Sequence, residues 1–143
     1  MNTQILVLLE ERESAKRTEF AGDFTGTWNS CCEWLSRNVK GIAASMERVG
    51  HEGSRIVEFE NWPLAAIRAH RLENGVNAIG VTFATNKHER RFEITGVNSI
   101  QLERDAAGFP TVTEFVTERE RIVLRFTERP RGTPIYTGNS WGE

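Results

Sequence analysis

Two adjacent cysteines, Cys31 and Cys32, are the residues of this sequence best suited to nucleophilic or redox chemistry. They fall in the first turn of the clearest predicted helix, where backbone amides and the helix dipole favour a thiolate. Either chemistry also requires a paired base or a second cysteine at a longer spacing, and the sequence shows neither. The side chains of adjacent residues in a regular helix point about 100° apart. We therefore predict no disulfide, at least one buried thiol and a reducing, cytoplasmic location.

Three histidines, His51, His70 and His88, lack a metal-binding spacing. No two of them lie four residues apart on a helix or across a short turn, as pairs of zinc ligands commonly do. His70 lies between Arg68 and Arg71, and such a cluster is suited to the wall of a polar pocket. We predict no metal and no cofactor, and we assign no catalytic residue, because the sequence contains neither a phosphate-binding glycine loop nor a Gly-x-Ser-x-Gly nucleophile motif.

The glutamates on predicted strands allow two interpretations. Glu58, Glu93, Glu103 and Glu114 either face the concave side of a cupped sheet or cover its solvent face. The first arrangement would form a ligand pocket, which combines apolar walls with a few polar groups. Under this alternative the ligand-binding residues are Trp28, Trp62, Arg68, His70, Phe83 and Glu93.

The segment from Phe24 to Trp28 reads Phe-Thr-Gly-Thr-Trp. It resembles the Phe-x-Gly-Thr-Trp segment that opens the first strand of fatty-acid-binding proteins, and its Gly-x-Trp part resembles the lipocalin signature. The resemblance implies a barrel with Trp28 closing one end and a helix soon after it. It covers five of 143 residues. That family has more strands than the six or seven predicted after the helix, and the expected arginine–tyrosine clamp is not identifiable, so we assign no family.

The charge distribution disfavours a nucleic-acid partner. The chain has 15 Arg and 3 Lys against 18 Glu and 2 Asp, with a net charge of -2. Proteins that bind nucleic acid usually carry a basic surplus that neutralises phosphates.

The N-terminal region contains the apolar run Ile5–Leu9, which has no basic region before it. We therefore predict that this run is neither a signal peptide nor a membrane span.

The first half of the sequence is predicted to be mainly helical. Residues 3–17 are rich in helix formers, although the apolar run within them also fits a buried strand. An apolar stripe at spacings of three and four predicts an amphipathic helix over 30–49. Residues 55–59 alternate as a strand. Residues 63–73 fit either a short helix or a strand leading into a hairpin at Asn74-Gly75, and the helix is slightly favoured.

From residue 76 onward the apolar residues recur with a period of two, which predicts an antiparallel meander. The sequence therefore indicates a single α+β domain over 1–129, in which a long amphipathic helix packs on a curved antiparallel sheet of five to seven strands, followed by a polar, aromatic-containing tail over 130–143. We expect a small, non-enzymatic cytoplasmic binding or protein-interaction domain that forms homo-oligomers. The alternative is a small-ligand pocket protein, or an enzyme on the same scaffold.

Overall fold

The computed structural model describes the backbone of residues 16–21 and both backbone and side chains of residues 28–127. One helix and an eight-stranded antiparallel sheet make up the described part, which confirms an antiparallel sheet combined with a helix. The helix is α1 (Asn29–Val39). The strands are β1 (Lys16–Ala21), β2 (Ala43–Gly50), β3 (Arg55–Arg71), β4 (Asn77–Ala84), β5 (Glu89–Thr95), β6 (Ser99–Arg104), β7 (Pro110–Val116) and β8 (Glu120–Phe126). The sheet order is β1-β6-β7-β8-β2-β3-β4-β5, and seven of these strands follow the helix.

The long helix predicted over 30–49 is wrong in its second half. α1 ends at Val39, and residues 43–50 form strand β2. Gly41 adopts a φ of 83°, a conformation that favours glycine, so the chain leaves the helix there. The apolar residues beyond this glycine suited both structures, because Ala44 and Met46 also alternate and are fully buried in the strand.

The helix favoured over residues 63–73 is also wrong, because these residues form the second half of β3. The alternative interpretation, a hairpin near Asn74-Gly75, is correct. The Leu72 N–H donates to the Val76 carbonyl at 2.9 Å, and Gly75 has a φ of 85°. Helix propensity at the alanines of this segment was therefore outweighed by pairing with β4.

β3 is a 17-residue strand that changes its neighbour along its length. Its first half pairs with β2 up to Pro63, and its second half pairs with β4 from Leu64 onward. Register shifts occur in both ladders close to this change, and Asn61 has a positive φ of 57°. Proline lacks the N–H that a ladder requires, so a point where pairing changes is a suitable place for it.

The predicted meander over the strands after residue 76 is confirmed only in part. β4 pairs with β5, and β6, β7 and β8 pair in succession, with β7 against β8 as predicted. β5 and β6 are not neighbours, because β5 lies at one edge of the sheet and β6 lies between β1 and β7 near the other. On β8, Ile122, Leu124 and Phe126 are buried while Arg121 and Arg125 are exposed, as the alternation indicated.

The helix lies against the second half of β3, where β2 no longer covers that strand. Leu35 and Val39 are fully buried on its inner side. The Ser36 hydroxyl donates to the Ile67 carbonyl at 2.9 Å and accepts from the Ile67 N–H at 2.6 Å. One serine thereby satisfies both backbone groups of a strand residue, which fixes the distance between α1 and β3.

Two further predictions fall partly or wholly outside the described residues. The helix over 3–17 lies outside them except for its last two residues, Lys16 and Arg17, which begin strand β1. The tail over 130–143 lies outside them entirely. Within the described part, no helix is long and apolar enough to cross a membrane.

Candidate functional site

Two of the six proposed pocket residues are part of the hydrophobic core. Trp28, just before α1, is 1% exposed, and Phe83 on β4 is fully buried. The Phe83 ring stacks on Phe59 with centroids 4.3 Å apart. Trp62 is half-buried and meets Phe59 edge-on at 5.6 Å. These aromatic residues hold the sheet together rather than surround an open pocket.

Arg68, His70 and Glu93 lie close together, on a face of the sheet away from the core. Arg68 and Glu93 both pair with Gly80, which lies between them on β4. A Cβ atom on Gly80 would approach His70 Nε2 and Arg91 Nε at 4.0 Å, so these side chains extend across the glycine. His70 Nε2 contacts Glu93 Oε2, and both side chains are partly exposed. The structure thus groups three of the six residues, on an open surface.

The thiols of Cys31 and Cys32 are free and buried, as predicted. Burial raises the pKa of the Cys31 thiol to about 12, against a smaller opposing effect of Arg104. Burial also raises the pKa of the Cys32 thiol, and its neighbour Cys31 adds to this rise. Desolvation of the charged form thus outweighs the helix N-terminus, and neither thiol is a ready nucleophile.

Both thiols should resist alkylation in the native protein. At pH 8 a buried thiol whose pKa lies near 12 is almost entirely protonated, whereas the same thiol in an unfolded chain is partly ionised. We expect a thiol reagent to modify neither cysteine rapidly under native conditions and to modify both in denaturant without a reductant. Rapid modification of the native protein would contradict the burial of the two thiols at the start of α1. Fewer than two reactive thiols after unfolding would indicate a disulfide.

Arg48 forms a half-buried charge cluster with Glu120 and Glu58. Its Nε and Nη2 donate to the two oxygens of Glu120, each at 3.2 Å, and Nη1 donates to Glu58 at 3.3 Å. The guanidinium also lies 5.9 Å from the ring centre of Phe92. The hydrogen bonds to both glutamates raise the pKa of Arg48. Because one cation holds both carboxylates, they are not arranged as a separate acid and base.

The first half of β3 has an edge that no described strand covers. Residues 55–63 pair with β2 on one side, whereas the ladder with β4 begins only at Leu64. Ile56 and Val57 lie on this segment with 55% and 57% of their surfaces exposed. They are the exposed large hydrophobic residues of the described part of the chain. We call residues 55–61 the free edge of β3.

The free edge presents apolar side chains on both faces of the strand. Ile56 pairs with Arg48 and Val57 with Glu47, and successive strand residues point to opposite faces. The alternation of residues 55–59 predicts the strand but not its free edge, because alternation does not reveal where a neighbouring strand stops pairing.

A groove of about 520 Å³ lies between α1 and the second half of β3. Its walls are the side of the helix that carries Ser36 and a run of β3 that contains three alanines. The lining residues are Asn29, Cys32, Glu33, Ser36, Arg37, Lys40 and residues 65–69. Of the six predicted pocket residues, Arg68 lines this groove, and the others do not.

Within the described residues, no group of three or more His, Cys, Asp or Glu is arranged to hold a metal ion. The chain matches no protein-family model, no curated protein and no solved structure. The described residues thus form an antiparallel sheet with one helix, an exposed strand edge and an open groove.

Proposed function

We propose that this protein is a non-enzymatic interaction domain that assembles with a second copy of itself through the free edge of β3. The observation that carries the proposal is the exposure of Ile56 and Val57 on opposite faces of a strand segment that pairs with β2 on one edge and with no described strand on the other. Exposed apolar groups beside unpaired backbone are a template for the addition of another strand.

Strand addition suits this edge better than packing on one face. A partner that packed on one face would cover Ile56 or Val57, but not both. A second β3 placed alongside the edge would shield both side chains. A two-fold axis perpendicular to the sheet keeps each face continuous, so the two Ile56 residues would share one face and the two Val57 residues the other.

Two of the three charged side chains of the free edge are paired within one copy, and the third, Glu60, is exposed and makes no ion pair among the described residues. Edge strands are often protected from association by unpaired charged side chains. Here Arg55 is held by Glu47 at 2.8 Å, and Glu58 is held by Arg48 at 3.3 Å. Both charges are thus neutralised within one copy, which lowers the repulsion between two edges that meet.

Finer properties belong to the same proposal. We infer that the sheet is curved, because β3 changes its neighbour near Pro63 and both of its ladders contain a register shift. We infer a cytoplasmic location, which the two free thiols support. Arg131, Tyr136 and Trp141 are of residue types enriched at interfaces and are proposed to add to the assembly. The proposal does not depend on them.

A lysine at the free edge should dissociate the assembly. We expect the full chain to have about twice its 16.2 kDa mass in light scattering and the Val57→Lys chain to be monomeric. Near the two-fold axis the two lysines would be close together and lose water, which should raise the dissociation constant at least about tenfold. Ile56→Lys should act in the same way from the other face.

Thr95→Lys is the matched control, because Thr95 is an exposed β-branched residue at the end of a different strand. It should leave the mass unchanged. All three variants should melt within a few degrees of the unmodified chain, since each replaces an exposed side chain. A full chain that stays monomeric at high micromolar concentration contradicts the proposal. So does a dimer that neither edge variant weakens.

A further inference from the structure

We propose that the groove between α1 and β3 binds a small anionic ligand, whose carboxylate or phosphate contacts Arg37, Lys40 and Arg68 and whose apolar body lies on the alanines of β3. This inference is independent of the assembly through the free edge. That edge belongs to the first half of β3 and the groove to the second.

The groove has a defined shape because its two walls are joined. The Ser36 hydroxyl bonds to both backbone groups of Ile67, and the Gly41 N–H donates to the Leu64 carbonyl at 2.7 Å. These contacts tie the helix to the strand at two points. The volume of about 520 Å³ falls within the usual range for small-molecule sites of roughly 300–1,000 Å³.

The lining carries an excess of positive charge in a chain that is acidic overall. Arg37, Lys40 and Arg68 contribute three cations, and Glu33 is the only acidic residue among the described residues that line the groove. Glu33 lies 4.0 Å from Arg37, and both side chains are more than half exposed, so this pair is weak. Among the described residues, Lys40 and Arg68 make no ion pair. Two cations are therefore available to an anion that enters the groove.

The strand wall offers an apolar surface and a backbone donor. Ala65, Ala66 and Ala69 place only methyl groups there, which leaves room above the backbone. The Leu72 N–H donates to Val76 and therefore points towards β4. Because successive N–H groups of a strand point to opposite sides, the N–H of Ala69 points away from β4, towards the groove. An anion held by the cations can also accept a hydrogen bond from this N–H.

The proposed ligand class follows from these features. A compact anion alone would use the cations and leave the alanine surface exposed. A neutral apolar molecule would leave two cations unpaired. A carboxylate or phosphate on a small apolar body uses both parts of the groove, and benzoate and phenyl phosphate are simple probes of this class.

The test is an amide NMR titration of the full chain with benzoate, phenyl phosphate and the neutral analogue benzyl alcohol. We expect at least one anion to shift the signals of residues 65–69 saturably and benzyl alcohol to shift them little. In Arg68→Gln and in Lys40→Gln the affinity should fall about tenfold, because each loses a hydrogen bond to a charged group. Arg125→Gln is the matched control, since Arg125 is an exposed arginine outside the groove.

Three results would overturn the inference. The first is no saturable shift at residues 65–69 with either anion up to about 10 mM, which corresponds to an affinity below that of a functional site. The second is equal binding of benzyl alcohol. The third is an equal loss in Arg125→Gln, which would show general attraction of the anion to the surface. Light scattering on the same samples separates any such failure from a failure of the assembly.

Discussion

Replacing Phe83 with alanine should lower the free energy of unfolding by about 3–5 kcal/mol, the range for removing a buried aromatic ring. Phe83 is fully buried on β4 and stacks on Phe59 at 4.3 Å. It pairs with Leu64, the residue at which β3 leaves β2 and joins β4. The ring therefore packs where the two halves of β3 meet. Urea denaturation followed by tryptophan fluorescence would measure the change.

Two further variants separate loss of the ring from general damage to β4. Phe83→Leu retains most of the apolar volume and should cost clearly less than Phe83→Ala. Thr82→Ala changes a half-buried neighbour on the opposite face and should stay within about 1 kcal/mol of the unmodified chain. A Phe83→Ala protein as stable as the Thr82→Ala protein would be incompatible with the aromatic stack.

Truncating Leu35 to alanine should cost about 2–5 kcal/mol, because its side chain is fully buried between α1 and the sheet. A cavity would remain there, since Ser36 holds the helix to Ile67 and limits its collapse. Thermal unfolding followed by circular dichroism would report the loss as a lower melting temperature.

Glu33→Ala provides the comparison on the same helix. Glu33 is exposed, and its contact with Arg37 spans 4.0 Å, so its removal should change stability by less than about 0.5 kcal/mol. Equal melting temperatures for Leu35→Ala and Glu33→Ala would show that α1 is not packed on the sheet as described.

The spacing of apolar residues alone does not predict where α1 ends. Apolar residues continued at helical spacing through Met46, although Gly41 already interrupts the helix. A basic residue followed by glycine, as in Lys40-Gly41, is a common helix end, so the sequence did contain the signal. The same apolar residues satisfied a strand, because Ala44 and Met46 are two apart and both buried.

The second half of β3 was ambiguous for a different reason. Its alanines and Pro63 favour the start of a helix in isolation, whereas Leu64 and Ile67 are both fully buried in the strand. Pairing with β4 and the serine contact from α1 decide the outcome, and both are long-range interactions. The strands after residue 76 were predictable because their alternation is regular and their turns are short.

Site residues were harder to predict than elements. Trp28 and Phe83 are large aromatic residues that suit a pocket wall and a core equally well, and only their burial assigns them to the core. Arg68, His70 and Glu93 do lie together, through a register across β4 that no sequence spacing encodes. The free edge of β3 depends on where β4 begins to pair, which is a property of the whole sheet.

The most direct test of assembly through the free edge is an isotope-filtered NMR experiment on a mixture of labelled and unlabelled full chains, which detects contacts between copies only. Assembly through β3 predicts contacts from the methyl groups of Ile56 and Val57 in one copy to residues 55–61 of its partner. Two results would contradict assembly through β3. One is a set of contacts between copies that involves other surfaces. The other is the absence of any contact between copies at a concentration where light scattering shows that all chains are dimeric.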